Sequence, residues 1–583
     1  IEGDLLERFE KNPSKWRFTL EVLKLLRPSL IKPIKDNKLN NYGMLKHNIK
    51  IAVRNFKRYK ASFFVNLSGL VAGLVAALFI YLWVAHELRV DKFHENDDHI
   101  YRLVSDNGGN ATLLNTSSRF ANQLMEEIPE IESVVNSSWA QLRSSLILDE
   151  KVYSSTGEFM TEAFFDVFTY PLINGRPQNV LEKPNAIVLS KSMALKIFNS
   201  TDVVGKELEW RWFQNAENVE VTGVYEDPSN TSSAQFDYVL SFQIFENIYR
   251  ERIERGSRSS RSFVQLSEGA DVHFVNQKIA DYTKITFPEY TGRPYFLIGY
   301  SDYYLNGLYE NGRSAGGRIE LVRLFIIIGM LILVIACANF MNLSTARAAL
   351  RTKEIGVRKV MGAQRKSLIH QYLTESCLLS LFAGLFAAAL VFLLFPSFKQ
   401  LTGQALEIKV EIQLIVAFLG IIFLTGFFSG SYPALYLSSF KPLNVLKGQL
   451  TASAKDQWFR KGLVVFQFGV SLILIISVIV VYKQMDFIQS KSLGYNKEHI
   501  LNFDTNNMDR EKQQAFLSEV RKLKGVNKAS GIIFTLFGGQ ISSGNVSWQG
   551  KDPEQSVWFE WGYIDYDMLE LLEVNPVQGR FFS

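Results

Sequence analysis

The apolar residues of this chain are concentrated in five long blocks. The blocks contain no Asp, Glu, Lys or Arg and cover residues 63–85, 324–346, 376–395, 412–437 and 462–482. About 20 helical residues cross a bilayer core, and buried helices of soluble domains seldom run that long without a charge. The pattern therefore predicts five transmembrane helices, with a basic amphipathic segment leading into the first over residues 46–85.

Between the first two blocks, residues 86–323 alternate short strand-like runs with helical ones. The strand-like runs cover residues 187–189, 219–224, 238–241, 263–266 and 295–300, and the helical runs cover 191–198 and 272–285. This alternation is typical of a mixed α+β domain. The fold class predicted for the chain is therefore a multi-pass α-helical membrane protein with α+β domains outside the membrane.

Basic residues next to the apolar blocks indicate which side of the membrane each loop faces. Six Lys or Arg residues lie within residues 46–60, seven lie within 347–366, and the linker 438–461 is also basic. Cytoplasmic loops carry such an excess. The N-terminus and the loops 347–375 and 438–461 are therefore predicted to be cytoplasmic, and residues 86–323 and 483–583 to face outward.

The basic loop between the second and third blocks has the features of a functional segment. Glu354 and Arg358 are spaced for a helical ion pair, and apolar residues recur at roughly helical spacing. We predict a short amphipathic helix that is broken at Gly362. Binding to lipid headgroups accounts for its basic residues, and docking on another protein is the alternative that the residues alone leave open.

The same loop resembles a known family. Residues 351–363 read R-T-K-E-I-G-V-R-K-V-M-G-A, which resembles the signature of MacB/FtsX-type permeases of ABC transporters. Residues 87–102, the string V-T-G-V-Y-E-D-P at 221–228 and Y-P-A at 432–434 are also similar to that family. The resemblance implies that the loop docks on an ATPase subunit. The residues assigned to this coupling are Arg351, Lys353, Glu354, Ile355, Gly356, Val357, Arg358, Lys359, Gly362 and Ala363.

In this assignment Glu354 and the basic residues make charged contacts with the ATPase. Ile355 and Val357 make the apolar contacts, and Gly362 provides the turn into the next segment. The relatives' pattern also implies a bacterial plasma (inner) membrane, a periplasmic adaptor and an outer-membrane channel as further partners.

The chain carries no sequence signature of an enzyme or of a nucleotide site. The phosphate-binding motif G-x-x-x-x-G-K-[ST] is absent, as are H-E-x-x-H, C-x-x-C and G-x-S-x-G. We therefore expect no cofactor in this chain, no catalysis by it, and ATP bound by a separate subunit. The net charge of +5 is too small to indicate nucleic-acid binding, and the charge-free blocks disfavour an ion-coupled transporter.

Two further features concern the extent of the protein. Residues 1–45 resemble the cytoplasmic helical prefix of some Bacteroidetes-like permeases. Residues 462–503 repeat the pattern of residues 63–103 at an offset near 400, with D-H-I-Y-R-L at 98–103 echoed by E-H-I-L-N-F at 498–503. We expect a duplicated permease unit, with residues 483–583 beginning a second outer domain and the native protein continuing beyond it.

Two functions fit these observations. The first is an ABC transporter permease that passes the motion of its ATPase to its outer domains, for the export or extraction of a substrate. The second is a signalling permease that activates a cell-wall hydrolase or senses a peptide without transport. The sequence does not reveal the substrate.

Overall fold

The computed structural model describes residues 38–106, 112–113, 115–286, 295–310, 313–439 and 454–496 and, with several short gaps, 498–582. Residues 1–37 of the expected prefix and 440–453 of the expected linker lie outside the described residues, as do the side chains of residues 347–354.

The described helices and strands follow the chain in this order. The helices are α1 Lys38–Arg58, α2 Lys60–Glu87, α3 Ser118–Glu127, α4 Phe164–Val167, α5 Lys191–Phe198, α6 Phe242–Ile248, α7 Arg250–Glu254, α8 Val272–Thr286, α9 Tyr300–Leu305, α10 Arg318–Val360, α11 Arg365–Thr402, α12 Ile412–Ser439, α13 Ala454–Ser490, α14 Arg510–Val520 and α15 Met568–Leu571. The strands are β1 Ile100–Asp106, β2 Thr112–Leu113, β3 Ile131–Ser138, β4 Leu142–Leu148, β5 Lys151–Met160, β6 Leu172–Asn174, β7 Ala186–Ser190, β8 Glu207–Trp212, β9 Asn215–Tyr225, β10 Tyr238–Ser241, β11 Ser260–Leu266, β12 Tyr295–Gly299, β13 Leu308–Glu310, β14 Arg313–Gly316, β15 Ile532–Ile533, β16 Ile541–Ser543, β17 Phe559–Trp561 and β18 Tyr563–Ile564.

Five helical stretches in the described residues are long and apolar enough to cross a membrane. They are Lys60–Glu87, Arg318–Ala346, Arg365–Thr402, Ile412–Ser439 and Arg460–Ser490. Each contains one of the five predicted blocks and most extend past it at both ends. The helices continue into charged and polar residues because backbone hydrogen bonds propagate beyond the apolar run. The chain is a multi-pass membrane protein.

By its internal contacts the chain forms two compact units. The bundle unit comprises Ile1–Phe79, Gly329–Thr402 and Lys409–Ile473, and the sheet unit comprises Ile80–Ile328, Gly403–Ile408 and Leu474–Ser583.

Small residues bring the helices of the bundle unit into close contact. A Cβ atom added to Gly73 of α2 would lie 2.6 Å from the Cβ of Ala336 in α10. A Cβ added to Gly426 of α12 would lie 2.8 Å from the Cα of Cys377 in α11. In a bilayer, helices associate through such close backbone packing because lipid and side chains are equally apolar. These glycines therefore have the packing role that their position inside the spans suggests.

A closed ring of six strands forms one half of the α+β domain. In ring order the strands are β5, β10, β7, β9, β8 and β4, and β4 pairs again with β5. Trp210 and Tyr238 are fully buried in this part of the domain, and the Trp210 Nε1–H donates to the Tyr238 hydroxyl at 2.9 Å. Closure leaves the ring without a free edge strand.

The other half of the domain is a sheet of order β3–β11–β1–β12. Helices α3 and α8 supply the apolar cover, with Phe120, Leu124, Val275 and Ile279 in one buried cluster with the strands. Strand β3 of this sheet pairs with β5 of the ring at Ser137 and Met160, and the Thr161 N–H donates to the Asn136 carbonyl at 3.0 Å beside that pair. The predicted α+β class is confirmed.

The close approach of α11 and α12 generates a stability prediction. We expect Gly426→Ala to lower the free energy of unfolding by about 1–3 kcal/mol, because the new methyl group overlaps the α11 backbone. Gly420→Ala on the same helix is the matched control, since no atom lies within 4 Å of the added Cβ. Thermal unfolding of the purified full chain in detergent measures both variants. Equal melting temperatures would contradict the packing role of Gly426.

Candidate functional site

The signature segment forms the end of one helix and a tight turn into the next. Helix α10 continues through the second span to Val360, so the helix predicted in this loop is the end of a longer helix and not a short one. Gly362 has a φ of 92°, the Gly362 N–H donates to the Lys359 carbonyl at 3.1 Å, and the Ala363 N–H donates to the Arg358 carbonyl at 3.0 Å. These two bonds with a left-handed glycine are the Schellman motif that ends helices. The predicted break at Gly362 is where the helix ends.

We call residues 355–366 the hairpin tip. An apolar anchor holds it to the rest of the bundle unit. Ile355 is 2% exposed and belongs to a buried cluster with Leu368, Tyr372, Ala434 and Leu437 from α11 and α12. Since Ile355 is inside this cluster, it is not available to a partner protein, and its expected apolar contact with an ATPase is wrong. Its position instead couples the tip to two other helices.

Basic side chains of the tip make hydrogen bonds within the bundle unit. The Lys359 ammonium donates to the carbonyl of Ser438 at 2.7 Å, in the last turn of α12. Arg365 donates through Nε to the Ser438 hydroxyl at 3.3 Å, and Arg358 donates to Gln371 at 2.9 Å. A cation is favourable at a helix C-terminus, where backbone carbonyls lack partners. Burial, with a smaller effect of Arg365, lowers the pKa of Lys359.

Other apolar side chains of the tip remain exposed. Val357 is 54%, Val360 62% and Met361 83% exposed. The sequence analysis assigned Val357 to the residues that contact the ATPase. It did not assign Val360 and Met361, because helical spacing alone does not show which face of a helix is covered. The sequence-derived residues Arg351, Lys353 and Glu354 lie in α10, and their side chains are outside the described set. Gly356 is buried and Ala363 half-buried.

A buried carboxylate joins four elements within the sheet unit. Glu87, at the end of α2, is fully buried, and its Oε2 lies 3.5 Å from Nε of Arg318 in the first turn of α10. Gln404, in the segment after α11, donates to Glu87 Oε1. Burial, together with the nearby Glu87 carboxylate, raises the pKa of Tyr304 in α9. The Arg318 guanidinium lies 4.7 Å from the centroid of the Tyr304 ring. We call these residues the Glu87 junction.

Apolar contacts surround the Glu87 junction. Val84 of α2, Leu305 of α9 and Val322 of α10 form a buried cluster. The segment that carries Gln404 also carries Glu407, which accepts a hydrogen bond from Asn230 of the α+β domain. The sequence analysis missed this junction. A signal was available in the acid immediately after the first apolar block, but its partners are distant in the chain.

The segment that follows Glu87 enters the domain through a buried histidine. His94 is 4% exposed and packs against the rings of Phe93, Phe168, Tyr170 and Tyr300. Its Nδ1 accepts a hydrogen bond from the Thr169 N–H at 3.1 Å. Burial lowers the pKa of His94 to about 4, so the imidazole is neutral near pH 7.

Two family models match this chain. The model described as the MacB-like periplasmic core domain matches residues 63–282, and the model described as the FtsX-like permease C-terminal region matches residues 326–442. The second match contains the hairpin tip, and the first contains the segment from Glu87 to His94.

Two curated relatives are each 25% identical to part of this chain. The macrolide export ATP-binding/permease protein MacB of Pasteurella multocida is 25% identical over 293 residues, which are 49% of this chain and 42% of that protein. MacB of Neisseria gonorrhoeae is 25% identical over 232 residues, 39% of this chain and 34% of that protein. The chain thus spans less than half the length of these relatives.

A solved structure also resembles part of the chain. The periplasmic region of MacB from Actinobacillus actinomycetemcomitans is 19% identical, with 35% of this chain and 89% of that one covered and a TM-score of 0.27.

The left-handed conformation at the hairpin tip generates a second prediction. We expect Gly362→Ala to lower the free energy of unfolding by about 1 kcal/mol, because an L side chain is strained at that φ. Gly469→Ala in α13 is the control. An added Cβ meets no atom within 4 Å at either glycine, but only Gly362 has a positive φ. Melting temperatures of the two detergent-purified variants provide the comparison, and a stabilised Gly362→Ala protein would refute the assigned turn.

The buried imidazole generates a pH prediction. Because the folded pKa of His94 is about 4 and the unfolded value is about 6.5, the unfolded chain takes up the proton first as pH falls. His94 therefore costs stability between pH 6.5 and 4, by about 3 kcal/mol at the lower limit. We expect the free energy of unfolding of the His94→Gln variant to depend less on pH in this window than that of the wild-type chain. His273→Gln, at an exposed histidine, is the control, and identical pH profiles for both variants would contradict the prediction.

Proposed function

Because this chain belongs to the MacB/FtsX-type permeases of ABC transporters, we propose that it transmits the movement of an ATPase across the membrane to its α+β domain. In this mechanism the ATPase contacts the hairpin tip, the spans move, and the Glu87 junction passes the movement on. One observation carries the proposal. The hairpin tip exposes apolar side chains, while other residues of the tip hold it to α11 and α12.

The hairpin tip has the properties that a docking element needs. Val357, Val360 and Met361 expose apolar surface on it, which a partner protein can bury. Ile355 and the bonds from Lys359 and Arg365 to Ser438 hold the same segment to α11 and α12. A force on the exposed side therefore reaches three helices instead of bending a free loop.

Helix α10 supplies a mechanical connection along the chain. It runs from Arg318 to Val360 as one helix of 43 residues, about 65 Å at 1.5 Å per residue. Its first turn carries Arg318 of the Glu87 junction, and its last turn carries Arg358 and Lys359 of the hairpin tip. We propose that this helix carries movement along the chain, since sharp bending would disrupt its backbone hydrogen bonds.

The Glu87 junction is suited to receive this movement. Glu87 and Arg318 come from the first two spans, Gln404 follows the third, and Tyr304 belongs to the α+β domain. Because Glu87 is fully buried, separating it from Arg318 leaves its carboxylate without this partner, which is unfavourable. The four elements are therefore expected to move together.

The remaining features of the mechanism follow from the family and the charge pattern. We assign ATP hydrolysis to a separate subunit, because this sequence lacks the phosphate-binding motif. The hairpin tip faces the cytoplasm of a bacterial inner membrane, and the α+β domain faces the periplasm. Export or extraction of a substrate through a periplasmic adaptor and outer-membrane channel is the process proposed. Residues 462–583 belong to a second, related permease unit.

An exposed valine on the hairpin tip provides the test of docking. We expect Val360→Asp to reduce copurification of the ATPase at least tenfold, since a carboxylate replaces apolar contact surface of a partner. Val410→Asp is the control, because Val410 is also exposed, at 77%, and lies outside the tip. Affinity purification of the full chain from native membranes in mild detergent, with all bound proteins identified, measures the effect. Undiminished ATPase in the Val360→Asp sample would reject the tip as the docking element.

The same purification distinguishes the two functions considered from the sequence. Recovery of an adaptor and an outer-membrane channel supports export, whereas recovery of a cell-wall hydrolase supports the signalling permease. Absence of any ATPase from the wild-type sample would overturn the proposed function itself.

A further inference from the structure

Helix α1 of the bundle unit has three faces of different character. One face packs against α11, where Asn55 Nδ2 donates to Glu375 at 3.2 Å. Asn48 and Ala52 lie on the same face and are 6% and 1% exposed. Because a helix turns about 100° per residue, this face takes up only part of the helix surface, and the rest of α1 is turned away from α11.

The second face of α1 is an exposed apolar stripe. Leu45, Ile49 and Val53 follow one another at intervals of four residues and are 48%, 38% and 37% exposed. The amphipathic helices of globular proteins turn such a stripe toward the core. Here the core side of α1 is already occupied by α11, so the stripe is a surface that another apolar medium or molecule can cover.

The third face of α1 is basic, and we call it the basic face. Its members are Lys46, Lys50, Arg54 and Lys57. All four are exposed, and none forms a hydrogen bond or an ion pair within the part of the chain that the structure describes. Residues 37–86 contain no Asp or Glu. The positive charge of this face is therefore not compensated by α1 or by the span that follows it.

A ring contact at the end of α1 indicates how far this helix lies from the hydrocarbon core. The ring centroid of Phe56 is 6.4 Å from that of Phe382, which lies inside the apolar block 376–395. Val53 and Ile49 precede Phe56 by three and seven residues, at most about 5 and 10 Å along a helix. The headgroup layer is about 5–8 Å thick on each side of the core. Both residues are therefore within reach of the boundary between acyl chains and headgroups.

A lipid surface matches the apolar stripe and the basic face together. Interfacial helices place an apolar stripe at the acyl boundary and their Lys and Arg residues among the headgroups. The cytoplasmic leaflet is negatively charged and attracts basic segments next to a span. Only Tyr59 separates α1 from α2, so the first span keeps the end of α1 at the membrane.

We propose that α1 is an interfacial helix that binds anionic phospholipids of the cytoplasmic leaflet. Leu45, Ile49 and Val53 lie at the acyl boundary, and the basic face contacts lipid phosphates. Asn55 and Phe56 connect the lipid-bound helix to α11. This inference stands independently of the proposed function, since lipid binding needs neither an ATPase nor a transported substrate.

Spin labels test whether the apolar stripe enters the bilayer. The full chain, with both native cysteines replaced by Ala, carries one label at Ile49→Cys or Val53→Cys. It is placed without an ATPase in nanodiscs of phosphatidylcholine and phosphatidylglycerol. We expect these labels to collide more with O₂ than with a water-soluble nickel chelate, because the chelate is excluded from the acyl region. A label at Lys196→Cys, an exposed position of α5, is the aqueous control, and there the chelate collides more.

A charge variant tests the basic face. It replaces the four residues of that face by Gln, which removes the charges but keeps polar side chains. We expect the phosphatidylglycerol retained on the detergent-purified protein, measured by native mass spectrometry, to fall at least about tenfold, since each basic residue adds attraction to an anionic surface. The control variant carries the same number of Gln replacements at exposed basic residues of the α+β domain and keeps the lipid. The control residues are Lys151, Arg176, Lys196 and Lys284.

Three results would overturn the proposal. The first is labels at positions 49 and 53 that are as accessible to the nickel chelate as the control label at position 196. The second is protection of these labels only after an ATPase is added, which assigns the apolar stripe to that protein. The third is equal lipid retention in the charge variant and its control. The label test keeps the proposal falsifiable if the charge variant fails to fold.

Discussion

The hydrocarbon core of a membrane provides no hydrogen-bond partner, and this constraint determines how the rest of the molecule is built. Each span must satisfy its own backbone as a helix, so turns and charged side chains are restricted to helix ends. The two candidate sites obey this rule. Gly362 turns the chain just after α10 ends, and Glu87 pairs with Arg318 where α2 ends and α10 begins. Segments that can contact other proteins or join domains are thus concentrated at the ends of the membrane-spanning helices.

The chemistry at the two ends differs, and the difference suits transmission. At the hairpin tip, Lys359 donates to the Ser438 carbonyl in the last turn of α12, and apolar side chains remain exposed. At the Glu87 junction, a buried carboxylate is paired with a half-exposed Arg318 and accepts a hydrogen bond from Gln404, which brings separate elements together. An interface that must form and dissociate needs exposed surface, whereas a buried charge needs a partner that stays in place.

The α+β domain contains a closed ring of strands that is expected to resist deformation. Its ring of six strands closes because β10 pairs with both β7 and β5. The packing of Tyr238 against Gly157 illustrates how tight the closure is, since a Cβ at Gly157 would lie 2.1 Å from the Tyr238 ring. Dense packing and closure both make such a ring stiff.

The sequence by itself determined the local elements. Charge-free runs identified all five spans, short strand-like runs identified strands such as β7 and β10, and the glycine at 362 indicated the turn there. These features depend on neighbouring residues, so a local pattern contains the needed information. The tertiary structure alone decided which faces are covered. It buried Ile355 and exposed Met361, brought Glu87 to Arg318 and Gln404, and closed the ring. Those outcomes depend on contacts between residues tens to hundreds of positions apart, which helical or strand periodicity does not encode.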